Sequence, residues 1–273
     1  MRNMSTTRTV LTAGVLGIAA VSVGLAQGRG GGTSQPPPQR MLVATTQVKP
    51  EMANAYEALI KNELLPAAKK GGQPFRWTFA NGPTGGAGFT YVAVTPIANL
   101  AVFDEPGGPA ARRAMGEAAW NAYQAKLRTM VVSTQNVLDT LVPELTLPGG
   151  SSTPPPLLQV TVLQVTPGKG AEFTRIMTTD YLPNYRKAGV KDFTTYSISF
   201  GDVPQGRFVT VRGISKYADL DGLGLLRRAG LSAEAAAEIN TRRAAIATGV
   251  SNLVLRYIPE MSFGSAPTRP PSH

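Results

Sequence analysis

The hydrophobic positions of this chain form a pattern that occurs twice. Residues 56–72 read YEALIKNELLPAAKKGG, and residues 173–189 read FTRIMTTDYLPNYRKAG, an offset of 173 − 56 = 117. In both segments apolar residues recur at helical spacing, and a Leu-Pro pair, two basic residues and a glycine follow. Proline removes one helical hydrogen bond, and glycine permits the left-handed turn that ends a helix. We therefore predict two copies of one unit, each containing a kinked helix.

Strands are predicted on both sides of each kinked helix. Their bounds are Leu42–Val48, Phe75–Ala80 and Phe89–Thr95 in the first copy, and Val160–Val165, Phe193–Phe200 and Arg207–Gly213 in the second. A long alanine-rich helix is expected over residues 110–141, with a break at Gly116, and Ser232 caps its counterpart, which reaches Leu255. A short last strand is expected at Pro143–Leu147. The order βαββαβ predicts an α+β fold of two ferredoxin-like repeats with facing sheets.

The chain begins with the features of a cleavable export signal. Arg2 and Arg8 flank an n-region, and an uncharged apolar run, Val10–Val23, precedes small residues up to Ala26. That run is shorter than a membrane-spanning helix needs, so we expect cleavage after Ala26 and a periplasmic or secreted protein. The predicted divisions are a signal peptide at 1–26, a disordered Gly/Pro tether at 27–40, repeat 1 at 41–147, a Pro/Gly/Ser linker at 148–156, repeat 2 at 157–263 and a disordered tail at 264–273.

Composition removes several kinds of chemistry. The chain has no cysteine, and its single histidine is His273, in the tail. Disulfides, thiol catalysis and histidine-based ligation or acid–base catalysis in the folded part are therefore excluded. No phosphate-binding loop and no carboxylate cluster at metal spacing occurs, so we expect no metal and no cofactor.

The net charge of +10 is distributed in short basic pairs rather than in one patch. The pairs are Lys69-Lys70, Arg112-Arg113, Arg227-Arg228 and Arg242-Arg243. No basic run is interleaved with aromatic residues, so the charge indicates solubility rather than binding to nucleic acid. We expect no membrane association after signal cleavage, and self-association stays open.

The paired helix ends carry a resemblance to a known superfamily. Residues 65–71 and 182–189 resemble the first helix of dimeric α+β barrel proteins, most closely the NIPSNAP-like group and its secreted bacterial relatives. The resemblance implies that the sheets of the two repeats face each other in one intrachain barrel. That superfamily includes cofactor-independent monooxygenases, small cyclases, haem-degrading oxygenases and chlorite dismutases. Activities that depend on a histidine are not carried over to this chain.

Six strand residues are candidates for a ligand site: Trp77, Tyr91, Tyr196, Arg212, Gln47 and Gln164. If they point into the barrel, they form an apolar pocket with a few polar groups, as small-molecule sites have. The alternative is inter-sheet packing for the aromatic residues and strand-end hydrogen bonds for the glutamines. Arg212 is the most informative, because a charge on a strand needs water, an acid or an anionic ligand. Glu63 and Asp180, which are equivalent, are expected to lie on a solvated helix face or to pair with a nearby lysine or arginine.

The sequence by itself favours an exported, non-catalytic protein that binds a small apolar or anionic molecule or a protein partner. The first alternative is a cofactor-independent monooxygenase or cyclase-like enzyme acting on a small aromatic substrate. The second is a structural protein that assembles through its sheet edges. Whether the chain is an enzyme stays open at this point.

Overall fold

A computed structural model describes residues 40–83, 88–104, 110–147, 152–201, 203–222 and 224–266. The predicted signal peptide, nearly all of the tether, and parts of the linker and tail lie outside these residues, so the domain boundaries stay predictions. Eight strands are present: β1 Arg40–Val48, β2 Trp77–Asn81, β3 Thr90–Ile97, β4 Val131–Leu141, β5 Leu157–Val165, β6 Phe193–Phe200, β7 Arg207–Ile214 and β8 Ala247–Tyr257.

The eight strands close into one antiparallel barrel in the order β1-β3-β2-β8-β5-β7-β6-β4. Repeat 1 supplies β1–β4 and repeat 2 supplies β5–β8. The last strand of each repeat bridges to the other: β4 pairs with β1 and β6, and β8 pairs with β5 and β2. Two ferredoxin-like repeats thus form a single barrel, which confirms the predicted fold class.

The helices lie in corresponding places in the two repeats. They are α1 Ala53–Leu59, α2 Leu65–Lys70, α3 Ala110–Met115 and α4 Glu117–Met130 in repeat 1, and α5 Gly170–Ile176, α6 Leu182–Lys187, α7 Leu225–Arg228 and α8 Ala233–Ala244 in repeat 2. None of the helices in the described residues is long and apolar enough to cross a membrane.

The kink predicted at the Leu-Pro pairs is a turn of π-helix. It occupies Ile60–Leu64 between α1 and α2, and Met177–Tyr181 between α5 and α6. Pro66 and Pro183 then stand in the first turn of α2 and α6, where a missing N–H is tolerated. After each helix a glycine has positive φ, 83° at Gly72 and 79° at Gly189, which ends the helix as predicted.

The predicted long helices were wrong in their second halves. The helix beginning at Glu117 ends at Met130, and residues 131–141 form β4 instead. In the same way α8 ends at Ala244 and β8 follows. Residues 131–141 read VVSTQNVLDTL, which is rich in β-branched side chains, and their backbone groups pair with β1. The predicted short strand at 143–147 is also wrong, because Pro143–Leu145 is a 3-10 turn.

The segment that follows the last strand of each repeat packs into the core of the other repeat. Leu145 and Leu147 join the core of repeat 2, and Met261 joins that of repeat 1. A buried threonine anchors each segment: Thr195 Oγ1 donates to the Leu145 carbonyl at 2.6 Å, and Thr78 Oγ1 donates to the Met261 carbonyl at 2.8 Å. The two repeats therefore fold as one interlocked body rather than as two adjacent domains.

Candidate functional site

A cavity of about 580 Å³ lies in repeat 2, between the sheet and its helices. Side chains alternate along a strand, so Gln159, Thr161 and Leu163 of β5 point from one face into this space. The kinked helix supplies Met177, Tyr181 and Tyr185. The neighbouring strands supply Phe193 from β6, Thr210 and Arg212 from β7, and Asn252 and Val254 from β8. The other helices supply Leu225, Leu226, Arg227 and Arg228 from α7, and Ala236, Asn240 and Arg243 from α8. The cavity lies on the outer face of the barrel, under the helical layer.

The floor of the cavity is apolar. Leu163, Met177, Phe193 and Leu226 belong to the core of repeat 2, and each is buried. An aromatic ring or a similar flat apolar group would be removed from water by these side chains, at about 25 cal/mol for each Å² of apolar surface buried.

The polar part of the lining is strongly cationic. Arg212, Arg227, Arg228 and Arg243 line the cavity, whereas Asp219 is the one carboxylate among its described lining residues. The Nε atoms of Arg212 and Arg243 are buried and have no hydrogen-bond partner among the described residues. Burial lowers the pKa of Arg212, although an arginine remains charged at neutral pH. An anionic group in the cavity would satisfy both the charge and the unused donors.

Asp219 is a fixed anion rather than a proton acceptor. Its Oδ2 accepts hydrogen bonds from the backbone N–H groups of Lys216 at 3.1 Å and Ser215 at 2.9 Å. These hydrogen bonds lower its pKa. The carboxylate therefore offsets part of the positive charge of the arginines and does not act as a general base near neutral pH.

Two tyrosines of the kinked helix face the cavity as neutral phenols. Tyr181 donates its hydroxyl hydrogen bond to Asn240 Oδ1 at 2.8 Å, and Arg243 lies over its ring at 5.9 Å. Burial raises the pKa of Tyr181, and burial also raises the pKa of Tyr185 to about 12. Both phenols remain protonated at neutral pH, so they can donate hydrogen bonds or pack against a ring, but they do not act as bases.

The six residues predicted for the ligand site do not come together. Arg212 lines the cavity. Tyr91 faces the helices of repeat 1, where its hydroxyl donates to Glu57 Oε1 at 2.7 Å. Trp77 and Tyr196 alternate with the helix-facing Thr78 and Thr195, which places them on the barrel side of the sheet.

The two glutamines also lie on the barrel side, because their neighbours Val48 and Leu163 belong to the helix-side cores. Gln47 is the last residue but one of β1, and Gln164 Nε2 donates to the Gln205 carbonyl at 2.6 Å. Trp77 Nε1 likewise donates to a backbone carbonyl, that of Gly264, at 3.1 Å. The ligand-binding roles of these residues stay predictions.

Sequence reasoning missed most of the cavity lining, although a signal was present. The prediction considered only strand residues, whereas much of the cavity lining comes from helices, at positions where the two repeats differ. Tyr181, Tyr185 and Arg212 replace Leu64, Ala68 and Thr95 at the offset of 117. In α8 the offset is 116, and there Arg243 replaces Leu127 and Ala236 replaces Trp120.

The described residues contain no group of three or more His, Cys, Asp or Glu side chains able to hold a metal ion. The chain's one histidine, His273, lies outside the described residues, so this lining offers no imidazole ligand for a haem iron. The arrangement is therefore suited to an aromatic anion bound by arginines and hydrogen-bond donors.

Comparison with known proteins gives the fold but no sequence family. No family model matches the chain, and no curated protein matches it. Among solved structures, a candidate monooxygenase from Fusobacterium nucleatum has a TM-score of 0.54 at 12% identity, covering 86% of this chain and 98% of that one. An anthrone oxidase-like protein has a TM-score of 0.54 at 10% identity, covering 86% and 97%. A candidate monooxygenase from Lactobacillus acidophilus has a TM-score of 0.50 at 7% identity, covering 85% and 98%. The chain has the fold of the dimeric α+β barrel proteins.

These comparisons correct the expected function. The sequence favoured a non-catalytic binding or interaction protein, and that expectation is contradicted, because the three structures compared above are described as monooxygenases or as anthrone oxidase-like. They favour the enzyme alternative instead. At such low identity the shared feature is the fold, and the chemistry has to be argued from the cavity.

Proposed function

We propose that this protein is a cofactor-independent oxygenase that acts on a small aromatic substrate bound as an anion in the cavity of repeat 2. The observation that carries the proposal is the cavity itself, with an apolar floor and four arginines against one carboxylate. The likeness to proteins described as monooxygenases and as anthrone oxidase-like supports the same reaction class.

The arginines would make an acidic aromatic compound lose its proton on binding. Arg243, which lines this cavity and has a buried Nε without a partner among the described residues, would donate to the substrate oxygen that carries the negative charge of a phenolate or enolate. Since a neighbouring cation stabilises an anion, the pKa of the bound substrate falls, and the proton leaves to water. This arrangement requires no catalytic base, which agrees with the neutral phenols and the fixed carboxylate of Asp219.

Anthrone serves as the worked example. The bound anion transfers an electron to O₂, and the two radicals combine at the carbon to give a peroxide anion. The peroxide takes a proton and becomes a hydroperoxide. The remaining hydrogen on that carbon then leaves to water as a proton, the C–H electron pair forms the ketone C=O bond, and the O–O bond breaks to release hydroxide, which the proton neutralises to water. The sum is C₁₄H₁₀O + O₂ → C₁₄H₈O₂ + H₂O, so oxygen is reduced, the carbon is oxidised, and no further reductant is needed.

The test is oxygen uptake by the purified full-length chain with anthrone and with a panel of phenols, with the product identified by mass spectrometry. We expect anthraquinone to form faster than in buffer, with one O₂ consumed for each product molecule. Arg243→Gln should lower the rate by about tenfold or more, because the developing anion loses one charged donor. A rate equal to that in buffer for every compound would refute the proposal.

Two finer points belong to the same proposal. We propose that the protein acts outside the cytoplasm after removal of residues 1–26, on the basis of the charged n-region and the short apolar run. We also propose that this protein is related to the NIPSNAP-like group, a relationship supported by the paired Leu-Pro helix ends. Mass spectrometry of the protein purified after export tests the cleavage site directly.

A further inference from the structure

A second cavity, of about 430 Å³, adjoins the first in repeat 2. One wall is the segment that joins the repeats, Thr153 and the three prolines at 154–156. The opposite wall is the chain between α6 and β6, at residues 188–192, which includes Lys191 and Asp192. Gly213 of β7 lies between these walls, and a Cβ atom there would be 3.1 Å from Pro155 Cγ.

The two cavities share one set of side chains. Arg212, Asp219 and Arg228 line both. Arg212 lies on β7 directly opposite Phe193 of β6, so the guanidinium group adjoins the apolar floor on one side. Its Nε is buried without a partner among the described residues, which leaves a donor available for a ligand at this position.

The outer cavity differs from the inner one in chemistry. Rigid prolines form its wall, and its three cations, Lys191, Arg212 and Arg228, outnumber its two carboxylates, Asp192 and Asp219. A planar carboxylate matches the fork of donors on an arginine, and proline rings form an apolar wall beside it. An inorganic anion would use only the charge and would leave the proline wall without a contact.

We propose that the outer cavity is a second subsite, which takes the carboxylate arm of an elongated aromatic acid while the ring lies in the inner cavity. Arg212 and Arg228 hold the carboxylate where the two cavities meet, and the linker prolines limit the length of the arm. This assignment rests on the proposed function for the position of the ring. It makes the linker between the repeats part of the binding site.

The test compares two probes with the same ring system, 2-naphthol and 6-hydroxy-2-naphthoate, by calorimetry with the full-length chain under nitrogen. We expect the naphthoate to bind about tenfold or more tightly than the naphthol, the scale of one charged hydrogen-bonded contact. Arg212→Gln should remove that preference and leave the naphthol affinity within about twofold. Lys191→Gln, which alters the outer cavity alone, should weaken the naphthoate by a few-fold at most, since Lys191 is exposed.

Arg128→Gln is the matched control, because Arg128 is exposed on α4 of repeat 1 and its loss changes the net charge equally. Equal affinity for the two probes, equal loss of both in Arg212→Gln, or no binding of either at about 1 mM would overturn the subsite. The outcome is independent of turnover. A carboxylate preference without oxygen uptake would leave the subsite standing and refute the proposed reaction, whereas turnover of anthrone without the preference would refute the subsite alone.

Discussion

The two repeats share one frame and differ in what fills the space between sheet and helices. In repeat 1 the rings of Tyr56 and Tyr91 lie 4.9 Å apart at 39°, and in repeat 2 the equivalent Phe173 and Phe208 lie 4.9 Å apart at 40°. An ion pair recurs as well: Lys126 with Glu63 at 2.7 Å, and Arg242 with Asp180 at 3.1 Å. That recurrence confirms the expected alternative in which the two equivalent acids pair with a basic residue.

The differences lie in the side chains around those rings. Repeat 1 places Trp120 and Tyr123 on α4, with rings stacked 5.3 Å apart, where repeat 2 places Ala236 and Ile239 on α8. Repeat 1 has Arg76 where repeat 2 has Phe193; burial lowers the pKa of Arg76, and Tyr56 and Tyr123 offset part of this. Arg76 and Trp120 thus occupy in repeat 1 the positions at which Phe193 and Ala236 border the cavity in repeat 2.

This contrast separates the residues that maintain the barrel from those that line the cavity. Features found in both repeats, such as the π-turn, the glycine stop, the anchoring threonine and the ion pair, position the elements. Side chains found only in repeat 2, namely Tyr181, Tyr185, Arg212 and Arg243, form the cavity. A substitution in a shared feature should therefore lower stability, whereas one at a cavity position should change binding.

Because the repeats share one frame, we expect equal losses of stability when either of the two segments that pack into the core of the opposite repeat is weakened. Leu145 is fully buried and Met261 is 1% exposed, each in the core of the opposite repeat. Leu145→Ala and Met261→Ala should each lower the free energy of unfolding by about 2–5 kcal/mol, from lost burial and the cavity left behind. Urea unfolding measures both. A large loss from one variant and almost none from the other would show that the segments do not play equivalent roles.

The next effect is expected on ligand binding, when a cavity residue of repeat 2 is replaced by its equivalent in repeat 1. Ala236→Trp places the side chain of Trp120 in the cavity, and we expect about a 100-fold weaker affinity for 6-hydroxy-2-naphthoate, or ~2.7 kcal/mol. The indole would occupy the space of the ring, at a cost in stability of about 1–3 kcal/mol. Trp120→Ala is the control, and it should leave the affinity unchanged. Unaltered binding by Ala236→Trp would place the ligand elsewhere.

The same contrast explains how far sequence reasoning reached. Helical periodicity and the Leu-Pro pairs located the kinked helices, because those features depend on local sequence. The ends of α4 and α8 were missed, since α4 runs directly into β4, and α8 is separated from β8 by only two residues, with no proline or glycine at either boundary. Only pairing with β1 and β5 makes those residues strands, and tertiary contacts of that kind are not visible in local propensity.

The candidate site was predicted less well for a related reason. Alternation along a strand shows that two faces exist, but it does not show which face borders a cavity. Arg212 was found because a charge on a strand requires an explanation. Arg227-Arg228 and Arg242-Arg243 were assigned to solubility, although Arg243 lies over the Tyr181 ring in the cavity lining.

A smaller asymmetry lies on the barrel side of the sheet. Asp139 of β4 is 4% exposed and lies opposite Met41 and Ile198. Its Oδ1 has no hydrogen-bond partner within the described part of the chain. The equivalent position in β8 is Leu255. Burial raises the pKa of Asp139 to about 7. Because the folded-state pKa exceeds the unfolded one, deprotonation of this buried carboxyl group lowers the stability of the fold. The contribution of the protonated Asp139 to stability is complete below about pH 4 and is lost as the pH rises to about 7.

Asp139→Leu introduces the leucine that repeat 2 has at this position, and it should remove the decrease in stability as the pH rises. We expect the variant to gain on the order of 4 kcal/mol relative to the wild type between pH 4 and pH 8, about 1.4 kcal/mol for each unit by which burial raises this pKa. Thermal unfolding at the two pH values measures the difference in stability between the variant and the wild type. Asp104→Asn is the control, because Asp104 is exposed. Parallel pH profiles for the wild type and Asp139→Leu would mean that the carboxyl group finds a partner in solution.

The smallest effect should come from the recurring ion pair. The side chains of Lys126 and Glu63 are 53% and 36% exposed, and those of Arg242 and Asp180 are 41% and 21% exposed. Lys126→Met and Arg242→Met should each cost about 0.2–1 kcal/mol, because solvent screens exposed pairs, with the larger cost in repeat 2, where Asp180 is better shielded. Urea unfolding at low and high salt measures both. A cost that is larger in repeat 1, or that does not fall with salt, would mean that these side chains stabilise the barrel through packing rather than charge, since the stem of a lysine or arginine also covers apolar surface.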